Sequence, residues 1–315
     1  MNRAVVHVVA GVVKDSAGRI LVAQRPAGKH LAGYWEFPGG KSDPGEAPFD
    51  ALRRELTEEI GIEVQSAEPL IAVPWSYPEK RIVLDAWIVG AYAGVPHARE
   101  DQPLRWVDID ELAHLPMPAA DAPIIRALRL PDRYLITPPL AAGSAARLLD
   151  GIARACDAGI RLIQLRLPEW TREEIVAAAP QARAICARVG TRLLLNADWQ
   201  TAEHCGVDGV HLPARVASTL DARPIAANRW FAVSCHSADE LAHAVRIGAD
   251  FATLAPVAPT PSHADAVPLG WQRFADCVAD AALPVYALGG LGADDIRTAR
   301  SYGAQGVAAI RAFWP

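Results

Sequence analysis

The sequence predicts two folds in series, an α+β domain followed by a parallel (β/α)8 barrel. Two contrasting textures carry that reading. Up to about residue 130, long β-branched runs surround one amphipathic helix. From about residue 133, short apolar runs alternate with Ala-rich stretches of helical length. With 315 residues, 51% of them hydrophobic, the chain is long enough for two separate cores or for one large barrel.

Residues 4–13 (AVVHVVAGVV) form a β-branched run that stops at Lys14-Asp15-Ser16-Ala17-Gly18. Residues 20–25 (ILVAQR) resume it, which predicts a strand, turn, strand unit. A helix is expected near 47–60, with further strands over 70–77 and 81–89. A short helix near 119–129 closes the first domain. Pro123, Pro131 and the charged Asp132-Arg133 mark a seam, so the domains are expected at 1–130 and 131–315. Beyond the seam, eight apolar runs stand at 134–137, 162–166, 192–196, 209–212, 230–236, 251–257, 284–290 and 306–310. A three-layer open sheet shows a similar alternation; the barrel is the preferred reading. The sequence ends soon after the last run, with no eighth helix. The barrel is therefore expected to be open, or covered by the first domain or by a second copy in a homodimer.

A formal net charge of −5 argues against direct nucleic-acid binding, which calls for a basic stripe, and leaves a small metal-chelated polyanion as a substrate class. Cys156, Cys186, Cys205, Cys235 and Cys277 are odd in number and lack metal-ligand spacing, so they read as small hydrophobes in a reducing cytoplasm. No run approaches the ~18 apolar residues of a membrane span. The first residues, broken by His7, read as a strand rather than a signal peptide.

Helix 47–60 places Glu55, Glu58 and Glu59 at i, i+3 and i+4, so the three carboxylates share one side. Such a run is either a solvated acidic face or a cation site. Its surroundings favour the cation. Pro38-Gly39-Gly40 can form a tight loop offering a backbone carbonyl, and hard oxygen donors suit Mg2+. Leu52, Leu56, Ile60 and Phe49 can anchor the helix to a sheet, while Arg54 can brace the loop through a carboxylate, Glu46 being nearest.

Gly40, Glu46, Arg54, Glu55, Leu56, Glu58, Glu59, Gly61 and Ile62 fill every fixed position of the pattern G-x5-E-x7-R-E-U-x-E-E-x-G-U, with U aliphatic. The segment thereby resembles the Nudix box, and its flanks resemble MutT-type Nudix hydrolases, which remove 8-oxo-dGTP from the nucleotide pool. Those flanks are Arg25, His30, the run Glu36-Phe37-Pro38-Gly39-Gly40-Lys41, and Glu100 ahead of Gln102-Pro103. The resemblance implies a mixed sheet sandwiched by helices. It also implies cleavage between the α- and β-phosphates, and Mg2+, or Mn2+ in its place, held by the Gly39 carbonyl, Glu55, Glu58, Glu59 and Glu100. Either Glu55 or Glu100 would be the general base, with Glu55 preferred. Arg25, His30, Glu36, Phe37, Pro38 and Gly39 are implied in substrate binding. In the family an Asn reads the base near the end of the domain; here Asp121 stands there, within Met117-Pro118-Ala119-Ala120-Asp121-Ala122-Pro123. A neutral Asp offers one donor and one acceptor to a purine edge, whereas an ionised one cannot donate. A helix N-cap is the alternative role.

The second half resembles thiamine phosphate synthase and its TenI-type relatives. The resemblance rests on Tyr134-Leu135-Ile136-Thr137, Gln164-Leu165-Arg166, Asp208-Gly209-Val210-His211-Leu212, Ser234-Cys235-His236, the 255–260 segment and Leu288-Gly289-Gly290-Leu291. Several positions that the synthase pattern fills with charge are changed, to Pro168, Ala197, Val216 and His263. Loss of these carboxylates and lysines implies a barrel without synthase chemistry. Arg166, Asn196, Ser234, Thr260, Gly289 and Gly290 remain as candidates to cradle a phosphate, and Arg311 could add charge. A thiamine-related pyrophosphate, cut by the first domain and handled by the second, is the alternative substrate.

Overall fold

The structure, a computed structural model, describes residues 5–28, 30–260 and 267–315. Ala4 and His263, both singled out in the sequence, lie outside the described residues. The chain forms two compact units, Met1–Arg129 and Leu130–Pro315. Leu130 belongs to the second because its side chain packs with Tyr134 and Ile136, and its carbonyl accepts a hydrogen bond from Gln305 Nε2 at 3.0 Å.

In the first unit, β1 (Val5–Val12) runs parallel to β6 (Arg81–Ala93) and antiparallel to β4 (Gly39–Lys41). The strand β5 (Glu63–Ser76) completes a mixed four-stranded sheet of order β4-β1-β6-β5. The strands β2 (Ile20–Gln24), β3 (Trp35–Glu36) and β7 (Leu104–Val107) form a separate antiparallel sheet. The expected strand, turn, strand unit thus exists, joined by the Lys14↔Ile20 bridge, but its two strands enter different sheets.

The helix α1 (Pro48–Ile60) starts on a proline, whose fixed φ and missing N–H suit a first turn, and stops at Gly61 in the left-handed region, φ 68°. Its Leu52, Leu56 and Ile60 are buried with Val9, Val13, Val64 and Val89. That packing fixes which way its charged side looks. The short α2 (Ile109–Leu112) follows β7, and a single 3-10 turn, Ala119–Asp121, leads into α3 (Ala122–Arg129), which packs on β5.

The second unit is a closed barrel of eight parallel strands, β8 (Arg133–Ile136), β9 (Leu162–Leu165), β10 (Arg192–Leu195), β11 (Gly209–Leu212), β12 (Trp230–Cys235), β13 (Phe251–Leu254), β14 (Val285–Leu288) and β15 (Gly306–Ala309). Strand alternation sends Tyr134, Leu162, Leu194, Phe251 and Tyr286 into the interior and Leu135, Ile163, Leu193 and Val285 out under the helices. The expectation of an open barrel is corrected: β15 pairs directly with β8. After β15 the chain turns instead of forming a helix, with Trp314 N–H bonded to the Ile310 carbonyl at 3.0 Å. The Trp314 indole fills the space over Gly151, where a Cβ would come within 2.1 Å of the ring.

Candidate active site

Arg54 organises the start of the site. Its Nε and Nη2 donate to the two oxygens of Glu46 at 3.0 and 2.8 Å, its Nη1 to Glu55 Oε1 at 2.7 Å, and its Nη2 also to the Lys41 carbonyl at 3.0 Å. This fork ties the loop before α1 to Glu55 on the helix. Hydrogen bonds from Arg54 hold the Glu46 carboxyl down to about 2. Glu58 lies further out, its Oε2 3.4 Å from Arg54 Nη1 and its side chain 61% exposed.

One turn on, Glu59 points inward and Oε2 accepts from the Gly39 N–H at 2.7 Å. Only glycine fits at position 39, because φ is 153° and a Cβ would stand 2.1 Å from the Val9 carbonyl oxygen. Burial pushes the Glu59 carboxyl up to about 7; the Gly39 N–H opposes the shift, while the charges of Glu36, Glu100 and Glu55 add to it. Four carboxylates therefore share one neighbourhood: Glu36, Glu55, Glu59 and Glu100. Among the described residues no three Asp, Glu, His or Cys side chains are already drawn into a metal cage. The donor set nonetheless fits a hard divalent cation, being all oxygen, mutually repelling and partly desolvated.

Glu36 also faces a second cluster. Its Oε2 is paired with Arg25 Nη1, while Arg25 Nε donates to the His30 carbonyl at 2.7 Å. The His30 ring meets Tyr77 edge-on, with centroids 5.6 Å apart. Asp121 is 4% exposed, and its Oδ2 is buried with no hydrogen-bond partner among the described residues. Burial raises the Asp121 carboxyl well above the usual carboxylate range; Glu36 raises it further and Arg25 opposes. Burial also raises the Tyr77 hydroxyl, with Asp121 adding to the effect.

The sequence-predicted residues thus divide. Glu55, Glu59, Glu100 and Glu36 come together, as do Arg25, His30 and Asp121, and Glu36 joins the groups. Asp121 is the last residue of the 3-10 turn that leads into α3. Phe37 and Pro38 are buried, and the Pro38 carbonyl accepts from Gly11 N–H at 2.8 Å, so both shape the loop. Tyr77 is the residue that sequence reasoning missed. It follows β5 in a turn whose Tyr77 N–H bonds to the Lys80 carbonyl, and nothing local marks it.

In the barrel, Arg166, Asn196 and Ser234 follow or end β9, β10 and β12. Asn196 Nδ2 donates to the His211 carbonyl at 2.9 Å, and Ser234 Oγ lies 2.8 Å from His211 Nε2. His211 Nδ1 in turn lies 2.8 Å from Tyr134 Oη. Burial alone brings His211 down to about 3, so the imidazole is neutral. Gly289 and Gly290 adopt φ of 107° and 70°. The Gly289 carbonyl accepts from Ala258 N–H at 3.0 Å, which sets this turn beside the 255–260 segment that ends in Thr260. Ala197 and Val216 pack against the outer core, where the synthase pattern calls for carboxylates.

Known proteins share both halves. Residues 9–127 match the family described as NUDIX domain, and residues 133–313 that described as Thiamine monophosphate synthase. The first half is 39% identical to an 8-oxo-dGTP diphosphatase of Haemophilus influenzae over 41% of this chain and 94% of that protein. It is 40% identical to a CTP pyrophosphohydrolase of Escherichia coli over 39% of this chain and 90% of that protein. The barrel is 39% identical to a putative thiamine-phosphate synthase of Geobacter sulfurreducens over 57% of this chain and 84% of that protein. The chain therefore belongs to the Nudix hydrolases, enzymes acting on phosphoanhydride bonds, through its first unit, and to the thiamine monophosphate synthase family through its second.

Proposed function

We propose that the chain is an 8-oxo-dGTP diphosphatase that releases 8-oxo-dGMP and diphosphate. The observation that carries this is Asp121, a buried carboxyl with an unpartnered oxygen, beside the Arg25–Glu36 pair and one residue removed, through Glu36, from the carboxylate cluster. A protonated Asp121 offers a donor and an acceptor to a purine edge. Glu55, Glu59, Glu100 and the Gly39 carbonyl would hold Mg2+, or Mn2+ in its place, with Glu58 at the outer edge. Such a cation supplies positive charge against the triphosphate. Glu55, oriented by Arg54, takes the proton of the attacking water, and Arg25, His30 and Tyr77 bound the nucleotide.

The barrel, residues 131–315, is read as a partner that has lost synthase chemistry, because the apolar Ala197 and Val216 occupy positions where a metal site needs carboxylates. Arg166, Asn196, Ser234, Thr260, Gly289 and Gly290 remain its candidate ligand contacts.

The test is turnover with Mg2+ on 8-oxo-dGTP, dGTP, CTP and thiamine diphosphate, with Glu55→Gln as control. The expected result is preference for 8-oxo-dGTP and loss of activity in the control. Preference for CTP or thiamine diphosphate, or activity indifferent to the control, overturns the reading.

A further inference from the structure

The last carbonyls of any helix lack partners within it. In α1 these are answered by the segment that carries Glu100. His97 N–H donates to the Ile60 carbonyl at 3.0 Å, Arg99 N–H to Glu59 O at 3.1 Å and Arg99 Nη1 to Thr57 O at 3.0 Å. Gln102 completes the clamp. It is 3% exposed, and its amide has both ends engaged: Nε2 donates to Glu59 O at 2.9 Å, and Oε1 accepts from Glu100 N–H at 2.9 Å. One side chain therefore links the backbones of two carboxylates that are 41 residues apart by number, Glu59 and Glu100.

The chain reverses between Glu100 and Gln102 through Asp101 at φ 57°, a left-handed conformation that Asp tolerates better than most residues. Just beyond, the Pro103 carbonyl accepts from Gln24 N–H at 2.9 Å, pinning the far side of the turn to β2. Glu100 is thus carried on a tight turn anchored at both ends, and Gln102 is the anchor on the helix side.

We infer that Gln102 is a positioning residue: it fixes Glu100 against Glu59, and that spacing sets the affinity of the carboxylate cluster for a divalent cation. The inference rests on the cation site of the proposed function, but not on its substrate. Hydrogen-bond partners behind metal ligands typically change affinity by ~10-fold to 100-fold when removed. A buried amide that only stabilised the fold would change melting temperature without changing cation affinity.

The experiment measures Mn2+ binding to the full chain by electron paramagnetic resonance, with melting temperature recorded alongside. The chains compared are wild type, Gln102→Met, Gln102→Asn, Glu100→Gln and the double variant Glu100→Gln with Gln102→Met. Methionine keeps the volume without the amide; asparagine keeps the amide but is one methylene short of bridging both partners. Both are expected to weaken Mn2+ binding by ~10-fold or more. In the Glu100→Gln background the Met change is expected to add less than about a twofold loss, because its effect runs through Glu100. Affinities within about twofold of wild type for both single variants overturn the inference, whatever the melting temperature does. A full tenfold loss persisting in the double variant also overturns it. Absence of Mn2+ binding by the wild type sinks the cation site and this inference together, whereas Mn2+ binding without turnover of 8-oxo-dGTP sinks the substrate reading alone.

Discussion

A Cβ on Gly40 would stand 2.1 Å from Glu55 Oε2. The obstructed atom is the end of a flexible side chain, so alanine at 40 displaces the carboxylate more readily than the backbone. Gly40→Ala is expected to leave the melting temperature within a few degrees of wild type and to lower kcat by about a hundredfold, the scale on which ångström misplacement acts. Steady-state kinetics beside a thermal melt decide it; an unchanged kcat would remove Glu55 from the chemistry.

Arg54 binds Glu46 through two nitrogens and Glu55 through a third. A lysine keeps the charge but offers a single point donor, so it cannot hold both carboxylates in the same geometry. Arg54→Lys is expected to lower kcat by ~10-fold to 100-fold while KM for the nucleotide changes less than threefold, an effect on orientation rather than charge. A lysine variant with wild-type kcat would show that charge alone suffices.

Asp121 has its folded pKa raised, so between the unfolded value of ~3.9 and the folded one the native chain holds a proton that the unfolded chain has released. The native state then binds more protons, and stability falls as pH rises through that window, with a limiting slope of about 1.4 kcal/mol per pH unit. Asp121→Asn carries no such proton. Its melting temperature is expected to gain on wild type steadily as pH is raised from about 4. Parallel melting curves across that range would mean that Asp121 is ionised in the fold.

Within the barrel, Tyr134 Oη lies 2.8 Å from His211 Nδ1 and accepts from Gln164 Nε2 at 3.4 Å. Tyr134→Phe keeps the ring but leaves both groups buried and short of a partner, at a cost of about 1–3 kcal/mol. Amide hydrogen exchange of the barrel strands measures it. Protection equal to wild type would show that water replaces the hydroxyl.

The barrel strands were legible because parallel strands covered on both sides read as plain apolar runs; residues 209–212 coincide with β11 to the residue. β5 was only half visible. It starts at Glu63, and its exposed Glu63, Gln65, Ser66, Glu68 and Pro69 hide the strand that begins there. The box revealed the carboxylates of α1 because helical spacing is local. Glu58 shows the limit of that logic: it shares the side of Glu55 and Glu59 in sequence, yet the loop it would have to meet lies nearer the other two. The contacts of Gln102, visible in the sequence only as half of the Gln102-Pro103 pair, and of Tyr77 were beyond reach for a different reason. Their partners are long-range, Glu59 for one and Asp121 with His30 for the other, and no spacing rule connects them.

Glu36 pairs with Arg25 while its charge bears on both Glu59 and Asp121. One negative charge thus belongs to two ledgers at once. By thermodynamic reciprocity, any base that alters the Arg25–Glu36 pair on binding must alter cation affinity, and the cation must alter base affinity by the same factor. Under the proposed function, selectivity between nucleobases is then expected to shift with the free concentration of divalent ion.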